Sequence, residues 1–183
     1  MSVRKSPLRM PVTVAVLVIA MMGLVRHFHI KNFHRVMPGV LYTSGQPRGM
    51  DYTRLLYKYH IMTFVNVRQA DEQREAHWYN EEKAWVLKNG VNYVEMPIER
   101  GERVDWFPSA VQQAEFLKLM ADENNLPVLI HGSSGKKRAA ILAAVWLMKE
   151  KGYHIDEVAK IVERINERPV SDVEMRFLGS LTK

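Results

Sequence analysis

The sequence predicts an α/β domain built on a central, mainly parallel sheet with helices packed against it. Three observations carry this. Short apolar runs rich in β-branched residues alternate along the chain with longer runs of helical spacing. One such run, Val128-Leu129-Ile130, passes through a turn of small residues straight into the apolar helix Ala139–Met148. A chain of 183 residues that is 47% hydrophobic can also bury one proper core, so the length argues for a single domain plus extras.

The first element is set apart by charge. The whole chain carries +6, but residues 1–31 hold five basic residues and no acid, leaving 21 basic against 20 acidic residues in the remainder. The excess belongs to the N-terminal segment, and nucleic-acid binding by the domain loses its main support. Met10–Val25 is an uncharged run of sixteen residues flanked by Arg4, Lys5, Arg9 and Arg26. As a helix it would span roughly 24 Å, a little short of a hydrocarbon core of ~30 Å. Residues 1–26 are therefore expected to be a signal anchor, an N-terminal transmembrane helix with residues 10–25 in the membrane. A cleaved signal peptide, with a weak site near Ala20-Met21-Met22-Gly23, and a core helix stay open as alternatives. The nearly balanced flanking charges lean towards a cytoplasmic N-terminus and an extracytoplasmic domain. The absence of cysteine fits an oxidising compartment without disulfides. Residues 27–37 are expected to be a solvated juxtamembrane linker. Their histidines, His27, His29 and His34, are not spaced to share a helix or strand face, so no metal is expected.

From residue 38 the domain proper begins. Pro38-Gly39 marks a turn, Val40–Thr43 a short strand, and Ser44-Gly45-Gln46-Pro47 its end. Asp51 is placed at the start of a helix reaching about Tyr59, followed by the strand Ile61–Val67. Arg68 closes that strand, either steering an anion or pairing with an acid such as Glu72 or Glu75. One helix is expected over Asp71–Asn89, with Trp78 and Trp85 as core anchors and Gly90 as its stop. The strand Val91–Ile98 and the loop Glu99–Pro108 follow, then a helix over Ser109–Asn124. Beyond the central strand and its helix, Ile155–Ile165 is amphipathic and ends before Pro169. Ser171-x-x-Glu174 has the form of a capping box for a last short helix.

The stretch from Pro127 to Ala144 (PVLIHGSSGKKRAAILAA) carries the chemistry. Strand, Gly-rich turn and helix in that order form a ready anion site, with turn amides and the positive helix end facing one point. Arg138 at the helix start adds a rigid fork of donors suited to two oxygens of a phosphate.

His131, position 132, five further residues and then Arg138 resemble the H-C-x5-R signature of the cysteine-dependent phosphatases. The rest of the chain from about Asn32 resembles the bacterial dual-specificity-like branch of that superfamily. NFHRVMPGVLYTSGQP, FVNVR, the helix beginning DEQREAHW, and VNYVEMPI are the supporting landmarks. The resemblance implies a dual-specificity-phosphatase-like fold over residues 38–183 and a phosphate-binding loop of Ser133, Ser134, Gly135, Lys136, Lys137 and Arg138. It implies no cofactor. It also implies a general acid on the loop after Ile98, for which Asp105 is the best match, with Glu102 and Glu99 behind it.

One departure dominates: where the family carries its nucleophilic cysteine, this chain has Gly132, and it contains no other cysteine. Glycine has no atom to attack phosphorus, and neighbouring serines lack an evident base. Ala139 and Ala140 stand where the family has a hydroxyl after the arginine. The first expectation is thus a membrane-anchored, catalytically impaired pseudophosphatase that binds a phosphorylated ligand, on a protein or a lipid headgroup. Two alternatives remain: a cysteine-dependent phosphatase whose nucleophile has been substituted, and a membrane-tethered interaction module with a vestigial pocket.

Overall fold

The computed structural model describes residues 9–73, 76–101 and 106–182. Its N-terminal element is helix α1 (Arg9–Phe28). Five strands then form one sheet: β1 (His34–Met37), β2 (Leu41–Ser44), β3 (Thr63–Asn66), β4 (Asn92–Glu95) and β5 (Val128–His131), in the order β1-β2-β5-β3-β4. Only the β1–β2 pair is antiparallel; β2, β5, β3 and β4 run parallel. Every residue of β2, β3 and β5 is buried, as expected of a parallel sheet covered on both faces.

Two helical layers cover it. One face holds α5 (Ala110–Ala121), α6 (Arg138–Lys149), α7 (Ile155–Asn166) and α8 (Asp172–Ser180), with Phe116, Leu142, Val158, Ile165 and Leu178 in the shared core. On the other face α2 (Met50–Tyr57) and α4 (His77–Lys88) pack Tyr52, Leu55 and Val86 against Phe64 and Leu129. Helix α6 has no exposed side chain from Ala139 to Met148, so its all-round apolar sequence reflects a helix enclosed by neighbours. The capping box of α8 forms, with Ser171 Oγ accepting from the Glu174 N–H and Glu174 accepting from the Ser171 N–H. Ser109 and Gln112 cap α5 in the same reciprocal way.

Three expectations need correction. Among the described residues no helix is long and apolar enough to cross a membrane. Helix α1 exists, but its uncharged run is bounded by Arg9 and Arg26 and is shorter than a hydrocarbon core. The transmembrane segment over residues 10–25, the membrane as a partner, and the single-pass extracytoplasmic placement fall with it. Second, His34–Met37 are not linker. They form β1, whose backbone pairs with β2, and Phe33 stacks on Tyr42 at 5.5 Å between ring centres.

Third, the helix expected over Asp71–Asn89 is two elements, α3 (Ala70–Gln73) and α4, with Ala76 extended before α4. The carboxylate of Glu72 is drawn instead to Arg68, Arg138 and the N–H of Gln69. Trp85 packs on Tyr52 and Phe64 as expected of a core anchor. Trp78 does not; its ring lies under the guanidinium of Arg68, 4.0 Å away.

Candidate functional site

The register of the parallel strands builds the site. Ser44, His131 and Asn66 lie side by side at the C-terminal ends of β2, β5 and β3, the edge where α/β sheets place their ligands. The chain leaves β5 at His131 and enters α6 at Arg138, so residues 132–137 form a loop over that edge. Two backbone bends shape it: Gly135 has φ +72° and Lys137 φ +41°. The Gly135 bend is obligatory for glycine. A Cβ there would lie 2.2 Å from Gly45 N and from Ser44 C, inside the neighbouring turn. The SGQP turn is thus the wall against which the loop is pressed.

Two loop amides are committed to this scaffold. The Gly132 N–H donates to Ser44 O at 3.3 Å and the Lys137 N–H to Asn166 Oδ1 at 2.7 Å. The outer side is tied down by Lys31, whose Nζ donates to Ser133 O at 2.9 Å, and by Asn32, whose amide donates to Gly135 O at 3.0 Å. The N–H groups of Ser133, Ser134, Gly135 and Lys136 meet no acceptor among the described residues. Such a run of uncommitted donors around a left-handed Gly135 is the composition of an anion nest.

The guanidinium of Arg138 stands at the start of α6, where the helix dipole is positive. Its position is held from two sides. Arg138 Nη1 donates to Glu72 Oε1 at 2.6 Å, and the Trp106 ring lies 4.7 Å from its centre. Arg68 takes the other oxygen of the same carboxylate, Nε to Oε2 at 3.1 Å. One carboxylate therefore spaces two guanidinium groups, leaving net positive charge at the mouth. Burial alone would raise the Glu72 pKa. The hydrogen bond and charge of Arg138 outweigh that and hold the carboxyl below its ordinary range. Burial and the nearby Arg138 act the other way on Arg68, whose pKa is lowered overall. Of the two basic neighbours, Lys136 is paired with Glu167 at 2.5 Å, and Lys137 is exposed.

Beneath the loop lies a buried carboxylate that the sequence pattern does not single out. Glu82, fully enclosed on α4, accepts from Gln46 Nε2 at 2.7 Å, Tyr93 Oη at 2.8 Å and Tyr52 Oη at 3.2 Å. His131 Nε2 lies 3.2 Å from it, within ion-pair range but not aligned for a hydrogen bond. Desolvation pushes the Glu82 pKa up, yet the facing His131 and the hydrogen bonds from Tyr93 and Gln46 hold it low. Burial and that fixed negative charge raise both tyrosines well above their ordinary range.

The expected loop residues, Gly132 to Arg138, thus sit together at the sheet edge. Asp105 and Glu102, the candidate acids, lie outside the described residues, as does Glu75. Glu99 is described, and it acts as a strut: its carboxylate accepts from Gln69 Nε2 at 2.6 Å and from the Ala70 N–H at 3.5 Å, holding the start of α3. Glu72, Glu82, Trp78 and Trp106 were not anticipated as parts of the site, whereas the family resemblance does put the SGQP turn, and with it Gln46, near the active-site face. Of those four, Glu72 alone had a signal, its spacing of four from Arg68, with which the sequence pairs it. A cleft of about 710 Å³ opens alongside, lined by Lys31, Asn32, Gln46 and Arg48 among others.

A donor nest joining the central parallel strand to an arginine-headed helix defines a phosphatase-type α/β domain. The chain belongs to the dual specificity phosphatase catalytic-domain family, which matches residues 41–183. It is similar to the tyrosine-protein phosphatase-like protein OCA2 of Saccharomyces cerevisiae, at 23% identity over 107 residues. That match takes in 57% of this chain and 49% of OCA2, so the chain spans about half the length of the curated relative it matches.

Its fold is similar to the core catalytic domain of the PP-IP phosphatase SIW14 from S. cerevisiae, crystallised with citrate. There the TM-score is 0.67 and the identity 17%, covering 82% of this chain and 85% of that one. PTPMT1 in complex with PI(5)P gives a TM-score of 0.66 at 16% identity, covering 82% and 93%. TpbA of P. aeruginosa gives 0.58 at 21%, covering 83% and 89%. At these identities the likeness is one of fold. The chain is a family member without the cysteine that family chemistry requires. The membrane-anchored pseudophosphatase of the sequence reading is corrected accordingly, because no described helix supplies the anchor.

Proposed function

We propose that this domain is a cysteine-type phosphatase scaffold whose nucleophile position is filled by Gly132 and whose oxyanion cradle, Ser133 to Arg138, remains in working order. The observation that carries the reading is the room at position 132. A Cβ built there meets only Val67 Cγ2, at 3.4 Å, an ordinary van der Waals contact, and the backbone does not adopt a positive φ. The fold does not require glycine at this position, in contrast to Gly135. A side chain at 132 would sit at the base of a loop that still offers uncommitted N–H donors and a positioned guanidinium.

With cysteine at 132, the thiolate would attack phosphorus and expel the leaving-group oxygen, which takes a proton from a loop acid. Asp105 is proposed for that role. Water would then cleave the phosphocysteine, returning the thiolate and releasing phosphate. In the chain as written the first bond has no donor, so binding of a phosphate monoester is what remains. Loss of a thiolate removes a negative charge from beneath the anion and favours that binding. A place near the bacterial dual-specificity-like branch is supported by the SGQP turn and its neighbouring landmarks in the sequence.

The test is paired. Gly132→Cys is expected to hydrolyse a generic aryl phosphate while the chain as written does not. Orthovanadate is expected to bind both, and Arg138→Ala is expected to lose it. A Gly132→Cys protein that is folded and binds vanadate but never turns over would sink the catalytic part. A parent chain that does not bind vanadate would sink the whole reading.

A further inference from the structure

The described hydrogen bonds run without a break from the enclosed core to the mouth of the loop. Tyr93 and Tyr52 donate to Glu82, and Glu82 receives Gln46 Nε2 at 2.7 Å. The same amide's Oε1 accepts from Arg68 Nη1 at 3.4 Å, the longest link. Arg68 Nε donates to Glu72 Oε2 at 3.1 Å, and Glu72 Oε1 receives Arg138 Nη1 at 2.6 Å. Donor and acceptor roles alternate correctly at each step. The carboxylate Glu82 fixes which way the Gln46 amide faces, because only its NH2 end can donate to a carboxylate. That leaves the amide oxygen towards Arg68. Arg68, seated on Trp78, in turn occupies one oxygen of Glu72 and leaves the other for Arg138.

We infer that Glu82 and Gln46 are positioning residues for Arg138, setting the direction of its guanidinium through Arg68 and Glu72. This rests on the reading of Ser133–Arg138 as an oxyanion cradle. It gives a physical reason for enclosing an ionised carboxylate, which would otherwise cost stability, at a place that touches no ligand. The amide in SGQP is the hinge of the relay. Its side chain is 2% exposed, so it reads the orientation of Glu82 and not of solvent. Losing a positioning partner two or three groups away from an anion lowers affinity by misplacing the donor, without removing any donor.

The probe is inorganic orthovanadate, titrated calorimetrically into the full chain, alongside side-chain 15N spectra of the arginine Nε–Hε groups. Gln46→Met removes the hinge yet leaves Glu82 with both tyrosines and His131. It is expected to weaken vanadate binding about tenfold and to broaden the Arg138 signal, with the backbone amide spectrum of the core unchanged. Glu82→Gln, of the same shape, is expected to weaken binding less, about threefold, because the Gln46 amide becomes free to turn over. The double variant Gln46→Glu with Glu82→Gln restores an alternating donor–acceptor order and is expected to recover most of the affinity. A merely structural role would not predict that recovery.

Parent-like affinity and an unchanged Arg138 signal in folded Gln46→Met would overturn the relay while leaving the cradle intact. If Gln46→Met does not fold, Glu82→Gln and the double variant carry the same decision. A parent that does not bind vanadate overturns cradle and relay together.

Discussion

Two glycines three residues apart in the same loop meet opposite demands. Gly135 lies in the left-handed region with Gly45 N and Ser44 C at 2.2 Å from where a Cβ would be; Gly132 has neither the conformation nor the crowding. The first is imposed by the architecture of the loop, which must press against the SGQP turn to bend. The second is a choice of chemistry at a position the backbone leaves open. On the function proposed above, the difference makes the cradle and the nucleophile position separable parts of the loop, so one can be lost while the other keeps its shape.

The sharpest way to break the comparison is to add one methyl group at each place. Gly135→Ala is expected to destabilise the domain by roughly 2–5 kcal/mol, summing backbone strain and overpacking against main chain that cannot yield. Gly132→Ala is expected to stay within about 1 kcal/mol of the parent, since a compatible φ limits the unfolded chain as much as it crowds the native one. Urea denaturation of both variants decides the matter. Equal losses would mean that position 132 is as constrained as 135.

Next in size is the anion itself. Arg138→Ala is expected to reduce vanadate affinity at least tenfold, the scale of a charge-assisted hydrogen bond. Arg138→Lys is expected to recover little, because a point charge lacks the fork that reaches both Glu72 and a ligand oxygen.

Removing the aromatic seat of Arg68 by Trp78→Leu is expected to cost less, about two- to fivefold in affinity, with a small loss of stability. A loss larger than that of Arg138→Ala would place the main anion contact at Arg68 instead.

The smallest effect is in the acid limb of stability. Glu72 is held ionised by Arg138, so its folded-state pKa lies below the unfolded value. Its contribution is present above the ordinary carboxylate range and drains away as pH falls through the lower folded value. Glu72→Gln is expected to flatten the fall in urea midpoint between about pH 5 and pH 2, where model carboxylates near 4.3 titrate. Glu82, lowered for the same kind of reason, leaves a residual slope. An unchanged slope in Glu72→Gln would show that the Arg138–Glu72 pair is not maintained in solution.

Much of this was readable in advance for residues whose role is local. The strand–turn–helix of Val128 to Met148, the Ser171 capping box and the donor at Arg138 depend on neighbours in sequence, and they are where the pattern puts them. Trp78 and Trp85 show where such reasoning stops. Both sit on α4, seven apart, yet Trp85 packs on Tyr52 and Phe64 while Trp78, in the first turn of the helix, seats Arg68, because different segments pack on the two ends of that helix. His34 to Met37 had no apolar alternation to announce a strand; an edge strand pairing on one side needs little of its own. The apolar run Met10–Val25 was the opposite case. Its composition invited a membrane span that no helix among the described residues is long and apolar enough to make.

What the sequence determined alone was most of the order of elements, which follows from periodicity, and the absence of any side-chain nucleophile at position 132, which follows from the atoms of glycine; that a thiolate is missing there follows from the family resemblance. What only tertiary structure decided was which carboxylates govern the two arginines and which of two glycines is indispensable. Glu72 and Glu82 are both helical acids in a sequence rich in them. Only tertiary packing sets Glu72 between Arg68 and Arg138 and encloses Glu82 among Gln46, Tyr52 and Tyr93, and most of those contacts join segments far apart in the chain.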